Sequence, residues 1–75
     1  MITKTWTYHE LTAAAETAIQ SCMRLAAKAP MGSQVRGIHL CHAWGVFHGW
    51  ASLTLGWQES GDSERLEALT NAVTL

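Results

Sequence analysis

Charge is scarce in this chain, and one long stretch has none. Charged residues make up 15% of the 75 residues, whereas about 25% is typical of soluble domains. No Asp, Glu, Lys or Arg occurs from Gly37 to Trp57. Lysine and arginine together number only five and form no basic stripe, so nucleic acid is not an expected partner.

Signals for export, catalysis and cofactor binding are also missing. Residues 1–6 lack the basic segment and apolar run of a signal peptide, which predicts a cytoplasmic protein. Cys22 and Cys41 are the two cysteines, expected to be free, buried thiols in a reducing compartment. No phosphate-binding glycine loop, activated nucleophile or catalytic carboxylate pair is recognisable. The sequence therefore predicts a protein that is not an enzyme and binds no cofactor.

Helix start and stop signals are clear in the first half of the chain. Thr7 and Glu10 have the spacing of a capping box, which begins a first helix at about 7–29. Pro30 ends that helix because proline blocks further helical hydrogen bonding. Ser33 is the expected N-cap of the next helix.

The remaining signals complete an all-α fold. A second helix is predicted at about 33–58 and a third at about 62–72. Because the turn between the first two helices is short, they should form an antiparallel hairpin. We expect residues 1–6 to be an N-terminal arm and residues 7–75 to be a single small helical domain.

The first helix carries an apolar seam with steps of three and four residues, as in a heptad repeat. Its members are Tyr8, Leu11, Ala15, Ala18, Cys22, Leu25 and Ala29. Most of them are small, which favours close packing against the second helix. Ile19, Met23 and Ala26 widen this apolar face.

The second helix carries a ridge of small residues, also spaced by three or four and hence on one side. This small-residue ridge comprises Gly37, Cys41, Gly45, Gly49, Ser52 and Gly56. Each glycine costs a helix up to about 1 kcal/mol relative to alanine, and close approach of another helix is the usual reason for accepting that cost. Since one long and one short helix cannot surround an apolar second helix, the ridge predicts a homodimer with a four-helix-type bundle.

Trp44, Trp50 and Trp57 lie on the same predicted helix. Large residues must fill space between small ones in a bundle core, but tryptophan is also enriched at interface hot spots. We assign these three tryptophans, with the small-residue ridge, to the predicted interface.

Histidines offer the main alternative. Folding the hairpin brings Cys22 opposite Cys41, near His39 and His42, and these residue types suit Zn²⁺. However, Cys41 and His39 point about 160° apart on an ideal helix, so all four cannot bind one ion within one hairpin. The preferred prediction is no metal, with core and interface histidines that are hydrogen-bonded. The alternative is a helical bundle that holds a metal or cofactor through His39, His42 or His48.

A buried pair between His48 and Glu16 is a further expectation, because the same fold-back places them opposite one another. We interpret it as structural, since no nucleophile lies beside it.

A membrane span is the second alternative, because the uncharged stretch has about the required length. Gly45 and Gly49 also form the small-x-x-x-small pattern of membrane helix pairs. Three histidines within the stretch and the lack of flanking basic clusters argue against it. Trp44 and Trp50 lie in its middle, whereas membrane tryptophans favour the ends. A membrane partner is therefore not expected.

The function that these patterns favour is a small, non-enzymatic protein–protein interaction module. It is predicted to be a homodimeric regulator or inhibitor of a larger protein. Chains of this size without a site commonly act as inhibitors, adaptors or antitoxin-like regulators, and phage and mobile-element proteins are often of this kind. This last step is an argument from frequency rather than from residues.

Overall fold

The computed structural model describes residues 5–74 and is all-helical over that range. Its helices are α1 (Tyr8–Lys28), α2 (Gln34–Leu53) and α3 (Asp62–Thr70). The all-α prediction is confirmed. Most of the predicted N-terminal arm lies outside the described residues, and so does Leu75.

Local capping determines where α1 and α2 begin. The Thr7 hydroxyl accepts from the Glu10 amide at 3.1 Å, and a Glu10 carboxylate oxygen accepts from the Thr7 amide at 3.2 Å. This is the predicted capping box. The Ser33 hydroxyl accepts from the Arg36 amide at 3.2 Å, so the predicted cap of α2 is also confirmed. Gly32 has a φ of 75° in the intervening turn, a conformation that favours glycine.

The C-terminal end of α2 comes earlier than predicted. The helix stops at Leu53 instead of continuing to about residue 58. The Thr54 hydroxyl donates to the Trp50 carbonyl at 2.7 Å, and the Trp57 amide donates to the Thr54 carbonyl at 2.8 Å. Gly56 has a φ of 86°, which is incompatible with a continuing right-handed helix.

Helix α3 begins at the predicted residue, Asp62, but its N-cap differs from the sequence-based expectation of Asp62 or Ser63. Gly61 is the N-cap, and no side chain caps this helix. The Asp62 carboxylate is instead engaged by a tyrosine of α1.

Helices α1 and α2 form the predicted antiparallel hairpin. At its open end, the Trp50 indole N–H donates to the Thr12 hydroxyl at 2.9 Å. At the turn end, the Arg36 guanidinium donates to the Ala26 and Ala29 carbonyls at 3.3 and 3.1 Å. It therefore satisfies acceptors that the end of α1 leaves open. Arg36 also donates to the Thr74 carbonyl at 2.7 Å, which holds the C-terminal segment against the hairpin.

The core lies between the hairpin and α3. Its buried members are Ala15, Ile19, Met23, Ala43, Phe47, Trp50 and Leu66. The buried side of α1 is rotated from the centre of the predicted seam toward the residues predicted to widen it. Ile19 and Met23 point into the core, whereas the seam residue Leu25 is 48% exposed. This rotation follows from α3, because Leu66 joins the same buried cluster as Ile19 and Met23.

Candidate interaction surface

One side of α2 is committed to the monomer core. Ala43, Phe47 and Trp50 are buried there, and Trp50 is only 3% exposed. The indole N–H of Trp50 already has a partner in Thr12. Trp50 therefore fills the core of the monomer. It was predicted at the interface, but almost none of its side chain is exposed to a partner.

The opposite side of α2 is uncovered. We call it the outward face, and its exposed residues are Cys41, Trp44, Gly45, His48, Gly49 and Ser52. Four of the six small-residue ridge positions are exposed on the helix: Cys41, Gly45, Gly49 and Ser52. Gly37 is half-buried, and Gly56 lies beyond the helix end. Most of the small-residue ridge is therefore open on the surface of α2.

Aromatic side chains sit on this outward face. The Trp44 ring is stacked on His48, with centroids 5.4 Å apart and planes 25° apart. Trp44 is 36% exposed. Trp57, also predicted at the interface, lies in the turn after α2 and is 62% exposed. Two of the three α2-region tryptophans therefore reach the surface.

Glycine on the outward face has no packing role within the described chain. A Cβ placed on Gly45 or Gly49 would meet nothing within 4 Å. Neither residue has a positive φ, so their backbones would accept alanine. Within residues 5–74, no contact or turn explains why glycine occupies these two positions.

A second open region lies where α1 and α2 meet. It is an apolar groove of about 320 Å³, lined mainly by small or aliphatic side chains. The residues that line it include Leu11, Ala14, Ala18, Val46, Gly49 and Leu53. Ala14 and Ala18 are each two residues from Glu16, so they point about 160° away from it around α1. Because Glu16 contacts Arg65 of α3, the groove opens on the side of the hairpin away from α3.

The candidate metal ligands do not assemble into a site. His39 and His42 lie near one another, with ring centroids 6.3 Å apart. Within residues 5–74, no three His, Cys, Asp or Glu side chains are grouped closely enough to hold an ion. Cys22 and Cys41 are free thiols. The prediction that both are buried is wrong, because Cys41 is exposed on the outward face.

The expected pair between His48 and Glu16 is also absent. Glu16 accepts a hydrogen bond from the Arg65 guanidinium, and His48 stacks on Trp44. Counting residues back from the turn placed His48 and Glu16 at the same height along the hairpin. It did not take into account how α1 and α2 are rotated about their own axes, and that rotation directs the two side chains to different neighbours.

A polar cluster that the sequence did not reveal joins α1 to α3. The Tyr8 hydroxyl donates to the Asp62 carboxylate at 2.7 Å and accepts from the Glu59 amide at 3.0 Å. Arg65 donates to the other Asp62 oxygen at 3.1 Å. The Tyr8 hydrogen bond, followed by that of Arg65, lowers the pKa of Asp62. Every member of this cluster is engaged by another, so we interpret it as a clasp between the helices.

Comparisons with other proteins leave the surface as the main guide to function. No protein-family model matches the chain, and no curated protein or solved structure is significantly similar to it. Among residues 5–74, no helix combines the length and the apolar character needed to cross a bilayer.

Proposed function

We propose that this chain is a small non-enzymatic protein–protein interaction module, a homodimeric regulator or inhibitor of a larger protein. The outward face of α2 carries this proposal. Gly45 and Gly49 together forgo roughly 1–2 kcal/mol of helix stability relative to alanine. Nothing in the described chain contacts the space where their side chains would be. A partner helix or loop that approaches the backbone closely would account for both glycines.

The chemistry of the outward face suits a protein partner. It has no formal charge, so binding would not strip water from an unpaired ion. Trp44 is held in place by its stack on His48, and a pre-oriented aromatic side chain loses little entropy on binding. Tryptophan is also among the residues that most often dominate interface energies.

The apolar side chains at the end of α2 extend the available surface. Leu53, Leu55 and Trp57 are 67%, 81% and 62% exposed. Large exposed patches of this kind mark interaction sites more often than isolated apolar residues do. We assign the outward face, with this adjoining turn, to the larger protein that the module binds.

The test compares two charge substitutions on the tagged chain, purified from its source cells. Gly45→Glu places a carboxylate on the outward face, and Thr17→Glu places one at an exposed position of α1 remote from it. Both positions are exposed, so circular dichroism should show folded helix in each. We expect the parent and Thr17→Glu to retain a stoichiometric partner and Gly45→Glu to lose it. A photo-reactive group at Trp44 should cross-link to that same partner.

Two results would contradict the proposal. One is a chain that retains no stoichiometric partner, and the other is a partner that binds Gly45→Glu as tightly as the parent. The homodimer is tested separately, by light scattering on the purified chain.

A further inference from the structure

Few side chains attach α3 to the hairpin. Of its nine residues, Leu66 and Thr70 are buried. Leu66 belongs to the core cluster, and Leu69 packs against the edge of that cluster. No side chain of the described chain caps the N-terminus of α3. Since an isolated helix shorter than about 12 residues is marginal in water, α3 depends on its contacts with the hairpin to remain helical.

The polar contacts between α3 and α1 are accessible to water. The Tyr8 hydroxyl donates to the Asp62 carboxylate at 2.7 Å, and the Arg65 guanidinium donates to Glu16. The Arg65 and Glu16 side chains are 42% and 34% exposed. Ion pairs with this exposure add little stability, because water and salt screen them. The clasp therefore orients α3 without holding it strongly.

The segment that leads from α2 into α3 has a glycine near each end. Gly56 has a φ of 86° and Gly61 has a φ of 89°. Because glycine reaches other backbone regions about as readily as this one, rotation at these two positions can move α3 relative to the hairpin at little cost. Weak attachment and two such hinges predict that α3 opens as a unit before the hairpin unfolds.

Phe47 connects the core beneath α3 to the outward face of α2. It is 6% exposed and belongs to the same buried cluster as Leu66 of α3. The centroid of its ring also lies 6.0 Å from that of Trp44 and 5.5 Å from that of His48. The stacked pair on the outward face therefore rests on a ring that the core holds in place.

We propose that α3 is a releasable cover that controls the outward face through Phe47. When α3 is docked, Leu66 completes the cluster around Phe47, and Phe47 supports Trp44 and His48 in their stacked arrangement. When α3 is released, the cluster loses Leu66 and the stacked pair loses a fixed support. Coupling of this kind requires an element with two arrangements that both sites influence, and docked and released α3 are those arrangements.

The consequence for binding rests on the proposed function, because it concerns how the outward face meets the larger protein. A Trp44 side chain that is already oriented loses less entropy on binding than a mobile one. Docked α3 should therefore favour binding, and by reciprocity the bound protein should favour docked α3. The opening of α3 and its effect on Trp44 are properties of the isolated chain.

Hydrogen exchange on the isolated chain tests whether α3 opens separately. Arg65→Met removes the guanidinium between α3 and α1. Arg24→Met is the matched control, because it removes the same charge from an exposed residue that donates to Ser21 within α1. In the parent, we expect α3 amides to exchange faster than α1 amides around Ile19. Arg65→Met should speed exchange in α3 by about two- to fivefold, and Arg24→Met should not.

Two exchange results would overturn the releasable cover. One is a common opening free energy for α3 and the centre of α1, which would mean that the helices open only together. The other is equal exchange of α3 in the two arginine variants, which would mean that the clasp does not hold this helix.

Fluorine NMR tests the link from α3 to Trp44. The tryptophans are replaced by 5-fluorotryptophan, and Trp44→Phe identifies the Trp44 signal. Leu66→Ala removes the buried contact of α3, and Leu25→Ala, at a residue that is 48% exposed, is the matched control. We expect Leu66→Ala alone to shift the Trp44 signal toward its position in urea, while circular dichroism shows that the hairpin is still helical. Leu66→Val, which leaves a smaller void, replaces Leu66→Ala if the hairpin unfolds as well.

An unchanged Trp44 signal in a variant whose α3 exchanges faster would overturn the link through Phe47. Both measurements are made without the larger protein, so they judge the cover even if no partner is captured and the proposed function fails. With a captured partner, Leu66→Ala should weaken capture at least about threefold and Leu25→Ala should not. Equal capture by both would overturn control of the outward face while leaving the proposed function standing.

Discussion

Gly45→Ala should make the isolated chain more stable, although it lies at the centre of the proposed binding surface. Its backbone is helical, since its φ is not positive, and the added methyl group would meet nothing within 4 Å. Alanine also restricts the unfolded chain more than glycine does. We expect the free energy of unfolding to rise by about 0.5–1 kcal/mol. For a domain of this size that corresponds to a rise in Tm of roughly 2–8 °C.

The chain provides its own matched control for this substitution. A Cβ at Gly32 would also meet nothing within 4 Å, but the φ there is 75°. Gly32→Ala should therefore destabilise the fold by about 1–2 kcal/mol. The two variants add the same methyl group to equally open space, so any difference between them reports the backbone conformation alone. Urea unfolding followed by circular dichroism, at concentrations low enough to keep the chain monomeric, measures both.

A loss of stability in Gly45→Ala would refute this reasoning, because it would mean that a neighbour does contact Gly45 within the monomer. The predicted gain should be accompanied by weaker binding of the larger protein. Gains in stability at the expense of function are common where a residue serves a binding site. A Gly45→Ala variant that is more stable and binds normally would separate the glycine from the proposed function.

Further substitutions test contacts between distant parts of the chain. Tyr8→Phe removes a hydrogen bond to the Asp62 carboxylate and should cost about 1–2 kcal/mol in urea unfolding. Because the Tyr8 hydroxyl and then a guanidinium lower the pKa of Asp62 below its ordinary 3.8, the stability from this carboxylate is complete above that pH. It is lost as the pH falls through the lowered pKa, so Asp62→Asn should flatten the acid limb of a pH–stability curve. Trp50→Phe leaves the buried Thr12 hydroxyl without its indole partner and opens a small void, for an expected loss of about 2–4 kcal/mol. Arg36→Met removes three donors to backbone carbonyls and should speed hydrogen exchange in the last turn of α1.

These predictions have simple controls. Trp57→Phe changes an exposed tryptophan and should alter stability by less than about 0.5 kcal/mol. A loss as large as that of Trp50→Phe would contradict the assignment of Trp50 to the core and Trp57 to the surface. Equal stability of the parent and Tyr8→Phe across the whole pH range would show that the clasp between α1 and α3 contributes nothing measurable.

The local features of this fold could be predicted from sequence. The capping box of Thr7 and Glu10, the cap at Ser33 and the stop at Pro30 depend on residues within four positions of one another. The uncharged stretch of α2 likewise indicated a helix that its neighbours could not fully cover. The structure agrees, because the outward face of α2 is open.

Long-range contacts could not be predicted in the same way. Tyr8 with Asp62, Glu16 with Arg65 and Trp50 with Thr12 each join residues far apart in the chain. Which side chains meet depends on how far each helix is rotated about its own axis. Counting residues from the turn gives the position of a residue along the hairpin but does not give this rotation. For the same reason, the seam predicted on α1 was rotated from the one that is buried.

The sequence by itself determined the three helices found within residues 5–74 and where the first two begin. It also determined that the second helix has more apolar surface than the other two can cover. Only the tertiary structure decided which side of α2 is covered. Packing α3 onto one side of the hairpin buried Ile19 and Met23 with Leu66 and left Leu25 and Ile38 exposed. Helix periodicity defines the sides of each helix, but the choice among them depends on which set of side chains fills the shared core most completely.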